Sequence, residues 1–168
     1  MENMRNKKYV LIEVLLLLLI QGFICSCGPA SVDYLFSSKG VECADVDEAE
    51  KISGINFAVE SIFEGMSIAS VYAVKGKAIQ INYENDGGDM ILRKVKSRNV
   101  IIDNTPYQNL LSVTFFDVPV TVKSRSGKVY AVTWKQKKCS YSLLFPQGKD
   151  NNTALAISQN CIFSEAAF

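Results

Sequence analysis

Histidine is missing from all 168 residues. That removes the base of a Ser-His-Asp or Cys-His nucleophile and the commonest zinc ligand. Catalysis would fall to carboxylate, lysine or tyrosine groups, or to a hard metal held by carboxylates. Net charge is nearly absent as well, with 18 basic against 17 acidic residues. Residues 1–26 hold Arg5, Lys7 and Lys8 against Glu2 and Glu13, so the remainder carries 15 of each sign. That balance argues against bulk capture of nucleic acid. A chain 48% hydrophobic and 21% charged does not have the composition of a disordered segment. No repeat of solenoid type is visible.

The one dense apolar stretch lies at the front. Arg5, Lys7 and Lys8 precede Val14 to Ile20, and Ile24-Cys25-Ser26-Cys27 follows. A basic n-region and an apolar stretch of about 7–15 residues make an export signal. A membrane span needs roughly 20 apolar residues; Tyr9 to Ile24 is shorter than that and contains Glu13 and Gln21. Its end is similar to the bacterial lipobox: aliphatic Ile24, small Cys25 and Ser26, then Cys27. The resemblance implies diacylglycerol on the Cys27 sulfur and cleavage between Ser26 and Cys27. It places the protein at the cell membrane, lipid-anchored on the outer face. The expected organisation is a lipoprotein signal peptide over 1–26, a tether over 27–44 and a globular domain over 45–168.

Of the five cysteines, cleavage removes Cys25 and lipid takes Cys27. Cys43, Cys139 and Cys161 remain, an odd set that allows at most one internal disulfide. Cys139 with Cys161 is the candidate pair. The alternative is three reduced cysteines acting as small buried hydrophobes.

Asp45 with Glu48 three residues on has capping-box spacing, and Gly54 is a stop, so 45–53 is expected to be a helix. Alternation predicts strands over 55–59, 67–75, 77–84, 89–96, 110–116, 118–124, 128–135 and 139–145. Asn85-Asp86-Gly87-Gly88 and Ser126-Gly127 are hairpin turns. Ala154, Ile157, Ser158, Cys161 and Ile162 give one apolar face to a closing helix over 150–163. The class expected is α+β: a curved antiparallel sheet, built as a meander, with a short N-terminal helix and a closing C-terminal helix packed on it.

Three groups of residues are weighed for chemistry. Glu84, Asp86 and Asp89 surround glycines but lack calcium-loop spacing, so a hairpin turn accounts for them. Arg93, Lys94, Lys96, Arg98, Lys123, Arg125, Lys128, Lys135, Lys137 and Lys138 form either a basic surface for anionic lipid heads or wall polymer, or a solvated sheet face. Tyr130, Trp134 and Tyr141 form either a ligand groove or cross-strand core pairs. No catalytic residue, metal ligand or cofactor site is assigned.

Three stretches carry a family resemblance: Ala49 to Val59; Ile79 to Tyr83 followed by Met90 to Lys94; and Val129 to Trp134 followed by Tyr141 to Leu143. Together they resemble a domain of unknown function in Gram-positive lipoproteins and in the outer portion of membrane-anchored, anti-sigma-like proteins. Glu60 stands where that domain has a proline. The family has no established catalytic residues to carry over. The lipobox-like segment, the strand-rich domain and the missing catalytic set point to a non-enzymatic binding or sensing domain whose partner is an unknown protein or small molecule. Two rivals remain: a lipid or lipoprotein carrier with an apolar groove in the curved sheet, and a histidine-free hydrolase using paired carboxylates such as Glu84, Asp86 or Asp89.

Overall fold

Eight short segments of alternating apolar residues pair into one open antiparallel sheet in the computed structural model, which describes residues 32–57, 63, 65–84, 86–97 and 105–166. The elements run α1 (Val32–Lys39), β1 (Val41–Cys43), α2 (Val46–Ser53), β2 (Ser67–Val74), β3 (Ala78–Glu84), β4 (Met90–Val95), β5 (Asn109–Phe115), β6 (Val118–Arg125), β7 (Lys128–Gln136), β8 (Cys139–Lys149) and α3 (Asn151–Ala166). Every pairing is antiparallel, and the spatial order is β1-β2-β3-β4-β8-β7-β6-β5. The class is α+β, with short helices and a C-terminal helix. The signal segment and Cys27 lie outside the described residues, as does Arg98.

The strand order corrects the expectation of a simple meander. β8 inserts between β4 and β7 instead of following β7 to an outer position. Burial explains this. Tyr141, Leu143 and Phe145 are buried on one face of β8, and Ser140 and Ser142 on the other. A strand covered on both faces belongs in the middle of a sheet. β5 is exposed along most of its length and takes the edge.

Two helices cover the front face. α2 is capped as its residues predict: the Glu48 N–H donates to the Asp45 carboxylate at 2.8 Å, and Gly54 ends the helix at φ 63°. A side chain is disfavoured at that angle, and glycine avoids the penalty. α3 starts at Asp150, whose carboxylate accepts the Thr153 N–H at 2.9 Å. It buries Ala154, Ser158, Cys161, Ile162 and Glu165. The helix runs past Phe163, the end expected from its apolar spacing, to Ala166 and so carries Glu165 inward.

The segment expected as a tether is largely folded. α1 sets Leu35 and Phe36 against Val74, Ala78 and Val95 on the back face. Arg93 of β4 meets Asp33 of α1 at 2.7 Å and donates through Nε to Gln80 at 2.7 Å. Gln80 continues to Asn82, and Asn82 to Ser70, so a polar chain crosses three strands beneath the helix. β1 then pairs with β2.

The strand expected over 55–59 is also corrected. Ile55 to Phe57 are irregular, and 58–62 lie outside the described residues. The Ile55 N–H donates to the Ser53 hydroxyl at 3.2 Å, and the Phe57 N–H donates to the Glu50 carboxylate. Side chains thus take donors that a strand ladder would use, while Ile55 and Phe57 still bury their side chains.

Candidate functional site

Alternation along β4 turns Met90, Leu92 and Lys94 to the front face, under α3. Met90 and Leu92 join the apolar core, and Lys94 is buried with them. Its ammonium needs three acceptors, and it has them: the two Glu165 carboxylate oxygens at 2.9 and 2.7 Å, and the Asn56 carbonyl at 2.5 Å. The side chains of Lys94 and Glu165 are only 9% and 5% exposed. Tyr141 adds a hydroxyl that donates to Glu165 at 2.9 Å. Burial, and then the Glu165 charge, push the Tyr141 hydroxyl well above its usual range. The rings of Tyr141 and Phe57 lie 5.4 and 5.9 Å from the ammonium, which adds cation–π attraction. Glu165 sits in the last turn of α3, where a negative charge opposes the helix dipole; Lys94 supplies the compensating cation.

This buried pair forms the floor of an open cleft of about 590 Å³. One wall is the loop from Gly54 to Phe57, held to α2 through Glu50. The mouth carries Lys96 at the end of β4, with Lys137 and Lys138 in the turn between β7 and β8. All three are exposed, and among the described residues their ammonium groups meet no carboxylate. Lys137 holds φ 53°, a left-handed turn position where Asn or Gly is usual. Four lysines therefore face two glutamates in the cleft, and both glutamates are engaged internally. The surplus is positive and concentrated at the mouth, a setting suited to an anion.

The residues singled out in the sequence are redistributed. Trp134 and Tyr141 do come together, stacked at 5.0 Å and 4° and almost fully buried. They are core; only the Tyr141 hydroxyl end reaches the cleft. Tyr130 does not join them. A bulge in β7 pairs Lys123 with Ala131 but Ser124 with Val129, which makes Tyr130 the extra residue. Val129 enters the core in its place, and Tyr130 lies 5.0 Å from Arg125. Gly148, at φ 73°, lets the Tyr130 ring pass about 3.0 Å from where a Cβ would sit.

The Cys139–Cys161 bond is absent: Cys43, Cys139 and Cys161 are all free. Cys161 packs fully buried on the core face of α3, and burial, then Glu165, raises its thiol pKa. Cys139 is half buried and lines the cleft.

Of the ten basic residues considered, Arg93 and Lys94 are internal, whereas Lys96, Lys137 and Lys138 share the cleft. Lys123 stacks on Tyr107 at 5.7 Å. Asp89 is occupied structurally. Its carboxylate accepts from Gln147 at 2.8 Å, and its N–H donates back to Gln147 at 3.1 Å. Among the described residues no group of three His, Cys, Asp or Glu side chains is placed to hold a metal, and no helix is long and apolar enough to cross a membrane.

Sequence reasoning missed Lys94 and Glu165 as a pair. The signals were present. Lys94 follows Met90 and Leu92 on an apolar strand face, and Glu165 lies four residues beyond Cys161 on an apolar helix row. A charge on each of two facing apolar rows is the pattern to look for. Comparison with protein-family models, curated proteins and solved structures finds no match to this chain.

Proposed function

We propose that this chain is a membrane-tethered, extracytoplasmic binding domain that takes a small anionic ligand in the lysine-mouthed cleft. The observation that carries the ligand class is the uncompensated trio of Lys96, Lys137 and Lys138 above a self-satisfied Lys94–Glu165 floor. A rigid, already neutralised base leaves the mouth charges for a ligand. The address rests on the lipobox-like Ile24 to Cys27, and the resemblance to the outer domain of lipoproteins and anti-sigma-like proteins supports the same placement. Curvature of the sheet belongs to this proposal too, since it would shape the cleft between the sheet and the end of α3.

The lipid-carrier reading draws on a second cavity of about 350 Å³ lined in part by Phe63, Met66, Met90, Phe145 and Ile157. Its weakness is α3, which packs over the front face and fills the space an acyl chain would use.

The chain's single tryptophan provides the assay. Trp134 stacks on Tyr141, and Tyr141 bonds Glu165, so occupancy of the cleft should alter its emission. Titration with pyrophosphate is expected to saturate and to weaken as salt rises. Lys137→Glu with Lys138→Glu should weaken binding by at least about tenfold, a loss of about 1.4 kcal/mol, with an unchanged unfolding midpoint. Pyrophosphate binding that is equal in the double variant, or absent from the wild type, refutes the ligand assignment. The address is read separately: Cys27→Ala should abolish lipid labelling and leave an unprocessed precursor, while Cys25→Ala does neither.

A further inference from the structure

The two edges of the sheet are unlike. β1 has three residues and carries Glu42. β5 has seven residues, Asn109-Leu110-Leu111-Ser112-Val113-Thr114-Phe115, with no charge, no proline and no glycine. Natural edge strands are blunted by shortness, lysine, proline or bulges; β1 follows that rule and β5 follows none of it. β5 pairs in unbroken register with β6 on one side, and among the described residues nothing pairs with its other side. Leu110 and Leu111 are 69% and 52% exposed.

The turn after β5 adds a second, independent observation. Phe116 occupies φ 48°, a conformation disfavoured for an aromatic residue. It is 55% exposed and leans on the 61% exposed Phe163 of α3 at 5.6 Å. An aromatic pair thus sits at the surface beside the unpaired strand, despite the cost of that backbone angle. Leu111, Val113 and Phe115 lie on the front face and lead to that pair.

We propose that β5 is a seam at which two copies of this chain join, edge to edge and antiparallel, into a continuous sixteen-stranded sheet. The occupant is argued from self-complementarity. Turned about a two-fold axis at Ser112, the strand meets itself as Ser112 with Ser112, Leu111 with Val113, Leu110 with Thr114 and Asn109 with Phe115. On the front face Leu111 meets Val113 on both sides of the axis, Asn109 meets Phe115 at the two ends, and no like charges are opposed. A two-fold interface uses the same patch on both partners, and this patch satisfies that condition in register and in charge. Each copy's Phe116 end then lies against the other's Asn109 end. The proposal does not depend on the anion cleft, which opens between β4 and the β7–β8 turn.

Cross-linking of the full chain in lipid vesicles tests this. Across the axis the two Ser112 Cα atoms would lie about 4.5–5.5 Å apart, within disulfide reach. The two Asn109 Cα atoms would be roughly 20 Å apart at the strand rise per residue. Ser112→Cys should therefore give a covalent dimer on mild oxidation, whereas Asn109→Cys should give no more than the wild-type background from its own cysteines. In detergent, Leu111→Lys should shift the sedimenting species from dimer to monomer, with an unfolding midpoint equal to that of wild type diluted until it is itself monomeric. Equal cross-linking at both positions, or a wild-type chain that sediments as a monomer at every concentration tested, overturns the proposal. So does a wild-type monomer that instead pairs β5 with a strand of another protein.

Discussion

Glu165→Leu is expected to destabilise the fold by about 3–5 kcal/mol, because it leaves the Lys94 ammonium buried with one carbonyl acceptor. Lys94→Met should cost a similar amount, since it strands the Glu165 carboxylate beside the Tyr141 hydroxyl. The double change Lys94→Met with Glu165→Leu should recover most of the loss. Replacement of a buried ion pair by apolar side chains of similar size is often neutral or better, because neither charge then has to leave water. Urea unfolding of the two single variants and the double variant gives the cycle. Additive losses would mean that the pair does not act as a unit. Tyr141→Phe removes one hydrogen bond to a charged group and should cost about 1.5–3 kcal/mol.

The same cluster sets the alkaline limit. Folding raises the pKa of the Tyr141 hydroxyl, chiefly through burial and then through Glu165. Below about pH 10, the ordinary tyrosine value, both folded and unfolded chains keep this proton and the stabilisation is intact. Above it the unfolded chain releases the proton while the folded chain retains it, so stability falls as pH rises. Cys161 acts in the same direction from a lower starting point, near the ordinary thiol value of about 8.5. Urea midpoints are therefore expected to decline from about pH 9 to 11, with a shallower decline in Tyr141→Phe.

Local features of this fold were legible in the residues. Asp45, Glu48 and Gly54 cap a helix through contacts within a few positions, and alternation located the strands from Ser67 onward to within a few residues. Three features were not legible, each for a physical reason. The Lys94–Glu165 pair joins residues 71 apart in sequence, and no local periodicity connects a strand lysine to a helix glutamate. The place of Tyr130 depends on a bulge, and one extra residue reverses the facing of its side chain. The place of β8 depends on which strands are covered on both faces, which is decided by the assembled sheet. The cleft combines local and long-range information. Its turn lysines were visible as a turn, its floor was hidden in two apolar rows, and their convergence is a consequence of β8 lying next to β4.

The β4–β8 seam within the chain carries the other large effect. The sheet consists of two sequential halves, β1 to β4 and β5 to β8, which among the described residues pair where β4 meets β8. Leu92 lies opposite Leu143 across the join, and both are completely buried. Leu143→Ala should cost about 2–5 kcal/mol, the range for a buried leucine whose cavity cannot collapse. Collapse is hindered here because Val132 lies opposite Leu143 on its other side, in the fixed register of β7. Leu110→Ala, on the exposed edge of the single chain, should change the stability of the monomer by no more than about 0.5 kcal/mol. The join also brings together strands some 50 residues apart in sequence, and long-range pairings of this kind slow folding. If the seam forms late, Leu143→Ala should mainly speed unfolding and leave the refolding rate nearly constant. Stopped-flow measurement of both limbs decides this: a loss confined to the refolding limb would place the seam in the folding nucleus, and a cost like that of Leu110→Ala would mean that the two halves do not depend on it.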